Sequence, residues 1–191
     1  NVELTLDAGI QFIVEQELDR AMAENNPQAI TCVVMNPKTG EVLAMASRPS
    51  YNPNSFYDYS PEVWKNRAVS FIYEPGSTFK LATMLTLLDD ARMPVSTVYD
   101  THNGDPVTVG PARNIRDSHR GDREIDFRRA VASSSNVYFA KAIWDRYGIT
   151  GKKQEYSDFL HKELHLGQTV GLERLGERKP SVTTDKGRFP T

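Results

Sequence analysis

Two short apolar runs, AITCVVM at 29–35 and EVLAMAS at 41–47, flank NPKTG, whose Asn36, Pro37 and Gly40 suit a tight turn. The pattern predicts a β-hairpin, and a hairpin restricts what the rest of the chain can be. A lone two-stranded ribbon is marginal in water, and strands apolar on both faces ask for neighbouring strands and covering helices. Elsewhere only PVTVG (106–110) and RNIRD (113–117) offer short strands, so part of the sheet is expected to lie outside this sequence.

Helical periodicity supplies the covering elements. Residues 7–24 place Ile10, Phe12, Ile13, Leu18 and Met22 mostly on one face, which predicts an amphipathic helix. Further helices are predicted over about 77–91, 126–133, 136–148 and 155–165, so the fold class read from the sequence is α+β. The 191 residues carry 39% hydrophobic and 25% charged residues, an ordinary globular composition. A net charge of −2 with evenly scattered Lys and Arg leaves no basic stripe for a phosphate backbone, which argues against a nucleic-acid partner. Cys32 is the single cysteine; it cannot form an internal disulfide, and within its apolar run it reads as a small hydrophobe. No apolar run approaches the roughly 20 residues of a membrane span, and the N-terminus lacks a signal-peptide pattern. The chain therefore reads as soluble as written, and equally as an excised part of an anchored or exported protein.

YEPGSTFK at 73–80 carries the first chemical signal. Pro75 holds Glu74 extended and Gly76 permits a sharp turn, so a helix can begin at or beside Ser77. A three-residue step on a helix turns the side chains only about 60° apart and about 4.5 Å along the axis, which brings the Lys80 amine within reach of the Ser77 hydroxyl. To act as a base, Lys80 must be neutral, which is unfavourable at pH 7 for a group of free pKa about 10.4 unless burial or the helix N-terminus lowers it. Taken alone, the spacing also fits a capping serine beside a solvated lysine. A second signal is AVASSSNVYFAKA at 130–142, where serines interrupt a helix that restarts near Asn136. Those serines could simply cap the second helix, or Ser134 and Asn136 could face Ser77 and Lys80 to relay a proton and hydrogen-bond the lysine and a substrate amide.

Together these segments resemble a known family. NVELTLDAGIQ, NPKTGEVLAMASRPSYNPN, NRAVSFIYEPGSTFK, SSNVYFAKA and LGQTVGLERLGE are similar, in the same order, to the transpeptidase domain of class B penicillin-binding proteins. The resemblance covers nearly the whole chain. It implies the penicillin-binding protein/serine β-lactamase-like fold, present here incompletely as a hairpin with covering helices and a helical subdomain. The implied divisions are 1–84, a mainly helical 85–165, and a return segment 166–191 toward further sheet strands. It implies a peptidoglycan D,D-transpeptidase that crosslinks stem peptides ending in D-Ala-D-Ala and is acylated by β-lactams. Ser77 would be the acylated nucleophile, Lys80 its base, and Ser134 and Asn136 the Ser-x-Asn motif. YEPGSTFK is more similar to the division or sporulation branch than to the elongation branch, which tends to have proline where Glu74 stands. The resemblance places the parent protein at the outer face of the cytoplasmic membrane, among cell-wall synthesis and division proteins.

The family also has a Lys-Thr-Gly motif after Ser-x-Asn. Here Lys38, Thr39 and Gly40 provide that triplet only in the hairpin turn, where the family has a noncatalytic turn. The expectation is a chain truncated before the true motif and weak or inactive by itself. Rival readings are a serine β-lactamase or β-lactam sensor, disfavoured by Asn136 where those relatives tend to have Val, and a noncatalytic cell-wall scaffold. His161 and His165 sit at helical spacing, but Lys162 replaces the Glu of a zinc-peptidase helix. No metal or organic cofactor is expected.

Overall fold

The computed structural model describes residues 3–172, 176–179 and 182. The chain divides into two compact units. Among the described residues, one is formed by 3–72 with 169–172 and 176–178, and the other by 73–168 with 179 and 182. The described residues combine helices with small antiparallel sheets, an α+β composition. Much of the return segment expected over 166–191 lies outside the described residues.

In the first unit, helix α1 (Ala8–Asn25) begins where the Asp7 side chain accepts the Ile10 N–H, and it ends at Asn26 in the left-handed region. Strands β1 (Ile30–Met35) and β2 (Val42–Arg48) pair antiparallel with Ile30 opposite Arg48, and a register shift falls between Val34 and Met35. Lys38, Thr39 and Gly40 do form the turn between them. Gly40 adopts φ 78°, a conformation that glycine reaches without steric cost, and its N–H bonds the Asn36 carbonyl at 2.8 Å.

The covering face of α1 differs from the expected one. Val14 and Leu18 are buried against Ala44 and Ala46, with Ile10, Ile30, Cys32 and Val34 around them, whereas Phe12 and Ile13 are 61% and 59% exposed. The buried stripe runs through 10, 14 and 18, which leaves residues 12 and 13 on other faces of the helix. Gln11 is the polar residue the pattern concealed. Its amide accepts from Met45 N at 2.9 Å and donates to Met45 O at 3.2 Å, as a neighbouring strand would. Asp7 N–H to Leu43 O and Thr5 Oγ1 to Val42 O, at 2.8 and 2.6 Å, continue the same edge. The hairpin thus gains hydrogen bonds along β2 from the segment before it and from one helical side chain. Arg48 ties the end of β2 to α1 through Asp19 and Glu15, each at 2.6 Å. The single-turn helices α2 (Pro61–Trp64) and α3 (Arg67–Ser70) follow, capped by Ser60 and Asn66.

The second unit starts with a 3-10 turn, Gly76–Phe79, which passes into α4 (Lys80–Leu85) and then a wider π turn at Thr86–Asp90. The helix expected over 77–91 is therefore three hydrogen-bonding geometries in succession. Two-residue strands β3 (Tyr99–Asp100) and β6 (Glu124–Ile125) pair with each other, and between them β4 (Val107–Val109) pairs with β5 (Ala112–Ile115). Then come α5 (Phe127–Ser133), α6 (Asn136–Ile143) and α7 (Lys153–Asp158). Helices α6 and α7 also run on into π turns, Trp144–Gly148 and Phe159–Glu163.

Leu87, Phe127, Tyr138, Phe139, Ile143 and Leu160 lie in the core of this unit. The buried Tyr138 and Tyr147 hydroxyls donate to the Thr97 carbonyl at 2.8 Å and to Asp90 at 2.6 Å, so burial leaves neither unpaired. Among the described residues no helix is long and apolar enough to cross a membrane.

Replacing the fully buried Ile143 by alanine should lower unfolding stability by about 2–5 kcal/mol in urea titration, whereas Phe12→Ala should change it by no more than about 0.5 kcal/mol. Equal effects at the two positions would show that the burial described for α1 is wrong.

Candidate active site

Gly76, at φ 58°, turns the chain so that the 3-10 segment can lead directly into α4. Ser77 then lies on the exposed first turn, while Lys80, three residues on, is only 5% exposed. The reading of Lys80 as a solvated surface residue is thereby excluded. Nor does Ser77 cap the helix with its side chain; in this turn Thr78 Oγ1 bonds the Pro75 carbonyl at 2.6 Å.

The Lys80 amine reaches four oxygens. Ser77 Oγ is 3.3 Å away, Ser134 Oγ 3.1 Å, the Ser134 carbonyl 2.6 Å and Asn136 Oδ1 2.5 Å. The structure therefore brings together all four residues singled out in the sequence, with the Ser77 contact close to ordinary hydrogen-bond length. The two shortest contacts are to carbonyl-type oxygens, which only accept. A neutral amine has two N–H groups and one lone pair, so it can satisfy both carbonyls and still face a hydroxyl with the lone pair. As ammonium it donates a third hydrogen bond to a serine, so the same cage serves both protonation states.

Burial pushes the Lys80 amine below the ordinary lysine range, and the nearby Asp117 carboxylate opposes that shift. The lysine's own environment therefore promotes the form that can accept a proton.

The other side of the cage comes from the α5–α6 junction. Helix α5 ends with Ser134 in the left-handed region (φ 52°, ψ 43°), with Ser134 N–H bonded to Val131 O and Ser135 N–H to Ala130 O. A side chain in that conformation is unfavourable by roughly 1 kcal/mol relative to the right-handed one. Here the turn presents both the carbonyl and the hydroxyl of Ser134 to Lys80. Asn136 opens α6, and its Nδ2 donates to the Arg116 carbonyl at 2.8 Å. That bond fixes which way the amide faces, since only its oxygen can then accept from Lys80.

Sequence reasoning missed the segment behind this junction. Asp117 Oδ2 accepts from the buried Ser135 hydroxyl at 2.8 Å, and Oδ1 accepts from Val137 N–H at 3.0 Å. RNIRD offered only a weak strand pattern, and nothing in it announced that its last residue would cap a helix nineteen positions away.

Residues 30–186 match the penicillin binding protein transpeptidase domain family. The chain belongs to the penicillin-binding protein transpeptidase family. It is 33% identical over 181 residues to stage V sporulation protein D of Bacillus subtilis (strain 168), covering 93% of this chain and 26% of that protein. It is 38% identical over 186 residues to peptidoglycan D,D-transpeptidase FtsI of Escherichia coli (strain K12), covering 93% and 28%. The probable peptidoglycan D,D-transpeptidase PenA of Neisseria flavescens is 34% identical over 183 residues, covering 92% and 43%. The chain thus spans between about a quarter and two fifths of the length of these relatives, and it sits with the class B penicillin-binding proteins of division and sporulation type.

Two measurements test the cage. With a selective carbon-13 label at its ε-carbon, Lys80 should titrate at lower pH than the solvated lysines. Between its folded value and the unfolded value of about 10.4, the unfolded chain binds the additional proton, so stability should rise with pH across that window. A Lys80 midpoint at or above the solvated lysines would reject burial as the dominant influence. Asn136→Ala removes an acceptor that favours the charged form, so it should move the Lys80 midpoint further down and destabilise the fold by about 1–3 kcal/mol.

Proposed function

We propose that the chain carries the acyl-serine site of a peptidoglycan D,D-transpeptidase. The observation that carries this reading is the Lys80 amine set between two serine hydroxyls, at 3.3 Å from Ser77 and 3.1 Å from Ser134. Ser77 Oγ attacks the carbonyl carbon between the two D-Ala residues of a stem peptide, and its proton passes to the neutral Lys80 amine. Collapse of the tetrahedral intermediate breaks the C–N bond. The leaving D-Ala amine takes up a proton, delivered from Lys80 through the Ser134 hydroxyl, and an ester is left on Ser77.

In the second half, an amine of a neighbouring stem peptide attacks the ester carbonyl. It loses a proton to Lys80 by the same route, and Ser77 leaves with a proton restored to its oxygen. Asn136 holds Lys80 in place through its oxygen. A cavity of about 580 Å³, lined among others by Asn136, Arg116 and Asp117, offers room beside this group for a peptide. β-Lactams enter as acylating substrates of the same serine, because their strained amide presents an equivalent carbonyl.

On this reading residues 1–191 are part of a transpeptidase domain with the penicillin-binding protein/serine β-lactamase-like fold. The proposed setting is the outer face of the cytoplasmic membrane, with division or sporulation cell-wall proteins as partners. Relatives named as peptidoglycan D,D-transpeptidases support the activity, and one named as a sporulation protein supports the sporulation part of that setting.

Incubation with a penicillin should add the mass of one intact antibiotic to the chain and none to a Ser77→Ala variant, as read by intact-mass spectrometry. Persistence of the adduct in Ser77→Ala would overturn the assignment, whereas its absence from the parent chain would show that residues 1–191 are not a competent acyltransferase by themselves. Release within minutes as hydrolysed penicillin would point instead to a β-lactam-hydrolysing enzyme.

A further inference from the structure

We propose that Asp117 is a positioning residue of this site, which clamps the Ser134–Asn136 turn against Lys80 and sets a fixed negative charge behind the lysine. The inference rests on the reading of Ser77 and Lys80 as nucleophile and base.

Each oxygen of the Asp117 carboxylate takes one hydrogen bond from the start of α6, from Ser135 Oγ at 2.8 Å and from Val137 N at 3.0 Å. These two residues flank Asn136, whose own side chain is tied to the Arg116 carbonyl and to Lys80. The dipeptide Arg116–Asp117 therefore grips three consecutive residues, Ser135, Asn136 and Val137, at the start of α6. Ser135 is itself 1% exposed and accepts the Tyr138 N–H at 3.1 Å, so the carboxylate completes the cap of α6.

Asp117 is in turn held from behind. Its N–H bonds the Gly104 carbonyl at 3.1 Å. Gly104 adopts φ 82°, and a Cβ there would lie 2.8 Å from the His119 carbonyl and 3.1 Å from Asp117 Cβ. The turn at 102–104 can approach Asp117 this closely only because residue 104 lacks a side chain.

The charge has a separate effect. Burial favours the neutral amine, but a lysine made too weak a base cannot hold the serine proton. The Asp117 carboxylate stabilises the ammonium formed when that proton arrives, and it is the charged side chain acting on Lys80 among the described residues. Around Asp117, the charged groups Arg116, Arg120 and Asp105, and the titratable His119, line the same cavity. Arg120 is paired with Asp105 at 2.7 Å.

Two substitutions separate clamp from charge. Asp117→Asn keeps an acceptor for Val137 N–H and can donate to Ser135 Oγ, but it is neutral. Asp117→Ala removes both. Asp117→Asn should move the Lys80 carbon-13 titration, and with it the acid limb of the penicillin acylation rate, to lower pH. Asp117→Ala should reduce acylation at least about tenfold at every pH, more than Asp117→Asn does at its plateau.

An unmoved Lys80 titration in Asp117→Asn would overturn the role of the charge. Parent-like acylation by Asp117→Ala across the pH range would overturn the clamp. If the alanine variant fails to fold, the asparagine variant and the conservative Asp117→Glu, which should recover charge better than placement, still decide the matter. The Lys80 titration needs no β-lactam, so it decides the role of the charge even for a chain that takes no penicillin.

Discussion

A primary amine kept out of water is the constraint around which the second unit is organised. Lys80 is 5% exposed, and a buried amine is tolerable only with its polar capacity met from elsewhere in the fold. Its own helix supplies Ser77, and the remaining partners come from Ser134 and Asn136, more than fifty residues further along the chain. That dependence makes the α5–α6 junction a structural requirement as much as a chemical one. Phe127, Tyr138 and Phe139, packed edge to face, fix those two helices in the core and so hold the acceptors where the amine needs them.

The hairpin unit solves a different problem. Two strands expose hydrogen-bonding edges, and β2 finds partners in Thr5, Asp7 and Gln11, none of which belongs to a strand. On the opposite register of β1, Val33 and Met35 remain 40% and 54% exposed. One side of the ribbon is therefore sealed by α1 and polar edge contacts, while the other keeps apolar side chains in contact with solvent among the described residues.

The parts of this architecture that were legible in the sequence are those written as local pattern. The hairpin was readable because two apolar runs bracket a turn that needs glycine, and α1 because apolar residues recur at helical spacing over 7–24. Ser77 and Lys80 were readable as neighbours because a three-residue step on a helix brings side chains together, but that spacing alone equally fitted a capping serine beside a solvated lysine. The faces of α1 were less so: five apolar residues around Ile10 admit more than one stripe, and packing against Ala44 and Ala46 chose the one through Val14. The π turns left no trace, since widening a helix by one residue changes hydrogen-bond partners without changing composition. Gln11 and Asp117 were hidden for a related reason. Each acts through bonds to distant main chain or to a distant cap, and polar residues of that kind look the same in a sequence whether they face water or a backbone. The assembly of Ser134 and Asn136 around Lys80 was suggested by family resemblance, because no periodicity connects positions so far apart.

Ser134 shows what such long-range assembly demands of a single residue. Its carbonyl and its hydroxyl both reach the same nitrogen, from a backbone in the left-handed region. Main chain and side chain at this position thus answer to opposite stereochemical preferences. Glycine, or an amino acid of D configuration, would adopt the backbone with ease and keep the carbonyl in place. Only an L-serine held against its preference also delivers the hydroxyl in this direction. The site is in this sense selective for the handedness of one of its own residues, and glycine or a D residue there would divide the two contacts, keeping the carbonyl and losing the hydroxyl.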